Sequence, residues 1–96
     1  MIQVTIRYPP ELMEITKKTE ETVELPAGST LSDLFRALSE RHGEAFKSLV
    51  LDSEGNIRQS LLILLNGRSL EKHGELFGTT LGQEDLLTIL TPLSGG

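Results

Sequence analysis

One segment sets the limits on what this chain can fold into. Leu31, Leu34, Phe35 and Leu38 fall at i, i+3, i+4 and i+7, an apolar stripe of helical period, while Arg36, Ser39, Glu40 and Arg41 lie off it. Thr30 with Asp33 three residues later matches a helix N-cap with an acid in the first turn, and Gly43 is a natural stop. On both sides of this helix the period changes to two. Ile2, Val4, Ile6 and Tyr8 alternate with Gln3, Thr5 and Arg7, and a second alternating strand over residues 22–25 ends at Pro26. One helix between strands predicts an α+β domain, with the helix across one face of a mixed sheet.

The remaining elements follow from short signals. Pro9-Pro10 ends the first strand, and an irregular stretch through Leu12 and Ile15 leads to a polar turn at Lys17-Lys18, giving an opening hairpin with a long loop. Ala45, Phe46, Leu49 and Val50 suggest a short second helical turn, followed by an exposed loop over residues 52–56. The apolar run 61–65 is too short for a helix and precedes Asn66-Gly67, which predicts a central strand, a tight turn and a short edge segment over 68–70. Residues 86–90 form the last strand. The first and last strands are expected to pair in parallel at the centre, joined through the helical crossover, which is the β-grasp plan. With 96 residues there is room for one core, so the domain is placed at 1–91 and a C-terminal tail at 92–96.

Composition removes several functions. Fourteen acidic residues against 9 Lys and Arg give a net charge of −5, the wrong sign for a nucleic-acid binder. The absence of Cys excludes disulfides, thiolate metal sites, a thiol nucleophile and a persulfide carried on a side chain. The start of the chain lacks a signal-peptide pattern, and the run 61–65 falls far short of the roughly 20 residues needed to cross a bilayer, so a cytoplasmic protein without a membrane partner is expected. His42 and His73 have no second ligand at metal spacing, so no metal is expected. Ser29 and Ser94 have no base placed to activate them. The paired acids Glu20-Glu21 and Glu84-Asp85 are expected to be solvated charge.

The chemistry therefore falls to the C-terminus. Ser94-Gly95-Gly96 is either a frayed end or a side-chain-free one that can enter a narrow active site on another protein. In the second case the reactive group is the Gly96 α-carboxylate, with Gly95 and Ser94 giving access and Pro92 stiffening the exit. Five residues beyond Thr91 reach at most about 17 Å. The runs 61–65 and 86–90 are apolar on both faces, and the outward face is expected to dock a partner. Leu87 and Ile89, with Leu93, are the expected docking residues, and Leu86 with Leu90 is the opposite parity.

The ordered set of features resembles the ubiquitin-like sulfur carriers of the MoaD/ThiS family. It comprises the opening strand to Tyr8 with Leu12 after it, and Thr22-Val23-Glu24-Leu25-Pro26-Ala27-Gly28-Ser29-Thr30-Leu31 with Asp33-Leu34 and Leu38. It continues through Asn66-Gly67, the spacing of Thr79, Leu81 and Asp85, and Pro92-Leu93-Ser94-Gly95-Gly96. The resemblance implies that an E1-like adenylating enzyme uses ATP to adenylate Gly96, and that a sulfurtransferase then replaces the adenylate with sulfur. The resulting thiocarboxylate would serve the large subunit of molybdopterin synthase, donating sulfur to a cyclic pterin precursor. In that role the chain binds no cofactor and is not catalytic alone. Carriers for cysteine or thiamine synthesis and a modifier conjugated through Gly96 are the alternatives. Glu84 stands where the family pattern has a glycine ahead of the aspartate, with Gly82 shifted upstream. The segment 44–60 is longer than in the compact thiamine carrier, which argues against that branch.

Overall fold

The computed structural model describes residues 1–70 and 78–91. His73 and the tail residues Pro92, Leu93, Ser94, Gly95 and Gly96 lie outside the described residues. Strands β1 (Ile2–Arg7), β2 (Glu20–Leu25), β3 (Leu62–Leu65), β4 (Arg68–Ser69) and β5 (Asp85–Leu90) join in one sheet of order β2-β1-β5-β3-β4. Among the described residues there are three helices, α1 (Pro10–Thr16), α2 (Leu31–His42) and α3 (Glu44–Val50). β1 runs antiparallel to β2 and parallel to β5, and β5 is antiparallel to β3. The expected parallel pairing of first and last strands, and the mixed sheet, are thus observed.

The core gathers the inward residues of the strands, Val4, Ile6, Val23, Ile63, Leu87 and Ile89, against Leu31, Leu34, Phe35 and Leu38 of α2. The predicted helix stripe is entirely buried. Thr30 caps α2 as a full capping box: Asp33 N–H donates to Thr30 Oγ1, and Thr30 N–H donates to Asp33 Oδ2 at 2.9 Å. These hydrogen bonds hold the Asp33 carboxyl below its usual range. Phe46 and Val50 of α3 enter the same core, so the segment 44–60 completes the helical layer and does not cover the opposite face of the sheet.

One helix escapes the sequence reading. The stretch after Pro9 is α1, with Pro9 extended at the N-cap and Pro10 in the first turn, where its missing N–H has no intrahelical partner to lose. The helix buries Leu12 and Thr16 and closes on Lys17, whose left-handed φ of 63° lets its N–H reach Met13 O at 2.8 Å. The proline pair therefore both ends a strand and starts a helix.

The expectation that Glu20-Glu21 is solvated charge is half wrong. Neighbours on a strand face opposite sides: Glu20 is exposed, whereas Glu21 is 5% exposed on the helix side of β2. Its carboxylate accepts from Tyr8 Oη and His42 Nε2, both at 2.5 Å, from Arg41 Nη1 at 2.7 Å and from Lys18 Nζ at 3.4 Å. His42 thus pins the end of α2 to β2. Its ring also lies over Phe46, 5.6 Å between centroids, and Tyr8 meets both rings edge-on. Burial pushes the Tyr8 phenol well above its usual range, and the hydrogen bond to Glu21 adds to this, so it remains a donor.

The second acidic pair is also ordered. Asp85 accepts from Gly82 N–H at 2.7 Å and from Asn66 Nδ2 at 2.9 Å, while Leu86 N–H donates to Asn66 Oδ1 at 2.8 Å. Asn66 and Gly67 both have positive φ, 53° and 86°, as a two-residue hairpin between β3 and β4 requires. Glu84 adopts φ 64°, a left-handed conformation that its Cβ disfavours by roughly 1–2 kcal/mol. The missing glycine has left the turn in place, at a cost.

Two measurements check these points. Burial alone would raise the Glu21 pKa, but hydrogen bonds from Tyr8, His42 and Arg41 outweigh it and hold the value at about 2, against 4.5 when free. The group therefore contributes stability in full above pH 4.5, and that contribution, about 3 kcal/mol, is lost as pH falls toward 2. Urea unfolding from pH 7 down to 2.5 is expected to show this loss in the native chain and a flatter acid limb in Glu21→Gln. Glu84→Gly is expected to raise the melting temperature by about 3–6 °C, since relief of the turn exceeds the added freedom of the unfolded chain. Differential scanning calorimetry reads it directly.

Candidate functional site

The site is where β5 leaves the sheet. β5 is flanked on both sides: Val4 to Arg7 of β1 register against Asp85 to Thr88, and Leu62 to Leu65 of β3 against Leu90 back to Leu87. The strand that leads to the tail is therefore held by two ladders. Its last paired residue is Leu90, opposite Leu62. Thr91 follows, half-buried, with its Oγ1 donating to the Glu11 carboxylate of α1 at 3.0 and 3.1 Å. From there the chain continues as Pro92-Leu93-Ser94-Gly95-Gly96.

The docking residues need correction. Leu87 and Ile89 are fully buried, packed with Ile63 in the core beneath the helices, and cannot touch a partner. Sequence left the parity open because both parities of β5 are leucine-rich; the burial of Val4 and Ile6 in the adjoining β1 fixes which side faces the helices. The outward residues are Leu86, Thr88 and Leu90, with Leu62 and Leu64 beside them on β3. Leu62 and Leu90 are each 40% exposed. They stand side by side at the end of β5 where the tail begins. Toward β2 the same face turns polar, through Gln3, Thr5 and Arg7 of β1 and Glu20, Thr22 and Glu24 of β2.

The side chains weighed for catalysis have structural work. Ser29 Oγ donates to Pro26 O at 2.7 Å in the turn before α2. His42 is committed to Glu21, and Asp85 to the Gly82 and Asn66 contacts that set the entry to β5. Glu11, which the sequence reading passed over with α1, joins the root of the tail; its signal was a carboxylate in the first turn of a helix opened by Pro10. Among the described residues no helix is long and apolar enough to cross a membrane.

Comparison with known proteins places this geometry. No curated protein sequence matches the chain significantly. Among solved structures, SAMP1 of Haloferax volcanii superposes with a TM-score of 0.83 at 23% identity, covering 98% of this chain and 99% of that one. A Pyrococcus furiosus protein provisionally assigned as molybdopterin converting factor subunit 1 gives 0.74 at 25% identity, covering 97% and 100%. The Amycolatopsis orientalis BexX/CysO complex gives 0.73 at 24% identity, covering 97% and 99%. The fold is the ubiquitin-like β-grasp shared by small carriers and modifiers. The ThiS family model matches residues 6–96, from within β1 through the terminal glycine, and the chain belongs to the ThiS family.

Proposed function

We propose that this chain is a sulfur carrier that works through its C-terminal Gly96 carboxylate, as the small subunit of a molybdopterin synthase. The observation that carries the reading is that the family match runs without a break from the β-grasp domain to Gly96. An ionised carboxylate is a poor electrophile, so an E1-like enzyme would first activate it. A Gly96 oxygen attacks the α-phosphorus of ATP, pyrophosphate leaves, and the acyl adenylate forms. The terminal sulfur of a sulfurtransferase persulfide then displaces AMP, and a thiol reductant cleaves the resulting acyl disulfide at its S–S bond to leave a thiocarboxylate. With no Cys in the chain, Gly96 is the place where sulfur can be carried, and the chain is a sulfur-donating subunit without catalytic groups of its own. A cysteine-free chain also suits a reducing compartment such as the cytoplasm.

The likeness to the Pyrococcus furiosus protein supports the molybdopterin branch, in which the thiocarboxylate would enter a large subunit and pass sulfur to a cyclic pterin precursor. The complex of CysO with BexX supports the view that carriers of this fold act while docked on a partner protein. The docking surface of this chain for its activating enzyme is the outward apolar face, Leu62, Leu64, Leu86 and Leu90. That face is continuous with the root of the tail, so one partner can hold the face and the carboxylate together. A second reading, a modifier whose adenylated Gly96 is captured by a lysine amine, is favoured by the likeness to SAMP1 and shares the first step.

Intact mass spectrometry after incubation with ATP, an activating enzyme of this class and a sulfur source separates the two. The expected result is a gain equal to one oxygen replaced by sulfur, localised to Gly96. Amide adducts through Gly96 on other proteins, with no thiocarboxylate, would establish the modifier. Deleting Gly95 and Gly96 is expected to leave the melting temperature unchanged and abolish adenylation; Gly95→Phe should do the same by steric exclusion from the enzyme's channel. Leu62→Ser with Leu90→Ser is expected to raise the KM for the carrier about tenfold with kcat retained, because truncating anchors at the centre of an interface weakens docking and leaves the chemistry alone.

A further inference from the structure

Thr91 directly follows the last paired residue of β5. The ladders end at Leu90, and Pro92 has no N–H with which to extend them. What fixes Thr91 is a side-chain contact from a distant part of the chain: its hydroxyl donates to both carboxylate oxygens of Glu11, 80 residues away in sequence. Glu11 stands in the first turn of α1, a helix anchored in the core by Leu12 and Thr16, so the acceptor is carried on a rigid support. Glu11 and Thr91 also line a groove of about 320 Å³ whose walls include Leu12, Ser48, Leu49 and Leu61. A released Thr91 could turn toward or away from that groove.

We infer that Glu11 is a positioning residue for the root of the tail: by holding the Thr91 hydroxyl it fixes Thr91, the residue from which the chain runs on to Gly96. The inference rests on the proposed activation of Gly96 and names the device that aims it. Ordering a short free segment on binding costs conformational entropy for every residue immobilised. A root fixed beforehand at the end of β5 removes part of that cost. Because Leu62 and Leu90 sit at the same end, docking of the face would then place the tail in register with a partner's channel. The hydrogen bond lies at the surface, so it contributes little to global stability and its effect falls on Thr91 itself.

The test is a double-mutant cycle on Glu11→Ala and Thr91→Val, read as KM and kcat for the full-length carrier in the adenylation reaction. Each single variant is expected to raise KM about three- to tenfold with kcat unchanged, and the double variant to be no worse than either. Glu11→Gln, which keeps an acceptor, and Thr91→Ser, which keeps the hydroxyl, are expected to restore near-native KM. Additive losses in the double variant, or a native KM in Glu11→Ala, would overturn the inference. Amide ¹⁵N relaxation of the isolated protein supplies a readout that needs no enzyme. Glu11→Ala should lower the order of Thr91 without moving the melting temperature, and equal order in both proteins would overturn the clip. If the native chain is never adenylated, the reading of Gly96 fails, and relaxation alone then decides the clip.

Discussion

The parallel pairing of β1 with β5 is the constraint on which the other features depend. Two parallel neighbours cannot be joined by a tight turn, so the chain between them must travel out, over a face and back. That journey contains β2, α2 and α3, and it places the described helical cover on one side of the sheet. The opposite side is left with the outward leucines of β3 and β5, and no described helix packs on it. The apolar face and the place of Thr91 at its end are thus two outcomes of one topological choice.

The polar interior of the domain shows a second economy. Glu21 of β2 is buried where the end of β1 and the end of α2 converge on it, and its carboxylate takes one donor from Tyr8, just beyond β1, and two from Arg41 and His42 of α2. A buried charge is tolerated when such partners surround it, and here two of them come from α2, on the helical layer that packs over the sheet. The arrangement fixes the orientation of α2 relative to β2 in a way that apolar packing, which is non-directional, does not. On the far side of the sheet the Asn66–Asp85 contacts do the same for the entry of β5.

Much of this was legible in the sequence wherever one signal acted alone. The α2 stripe, its Thr30 cap and the Asn66-Gly67 turn follow from spacing, and the central parallel pair follows from the order of elements. The reading failed where one residue type carries two meanings. Pro9-Pro10 stops a strand and also opens a helix, so α1 was passed over together with Glu11. Glu21 carries the charge of a surface residue but sits at an inward position of an alternating strand, and only its neighbours from other elements reveal why. In β5 all parities are apolar, so period could not choose between Leu87 with Ile89 and Leu86 with Leu90; the register with β1 did. The Glu11–Thr91 contact lay beyond sequence reading because it joins residues 80 apart in the chain.

The central place of β5 has a mechanical consequence. A partner that grips the carboxyl end and pulls along the strand loads the ladders to β1 and β3 lengthwise, in shear. Hydrogen bonds lying across the line of pull must then give way together, whereas an edge strand peeled sideways would lose them one at a time. The end through which a partner would take hold of the molecule is therefore also the end by which it is hardest to unravel. A load applied along β5 is therefore shared by both ladders while the domain stays folded.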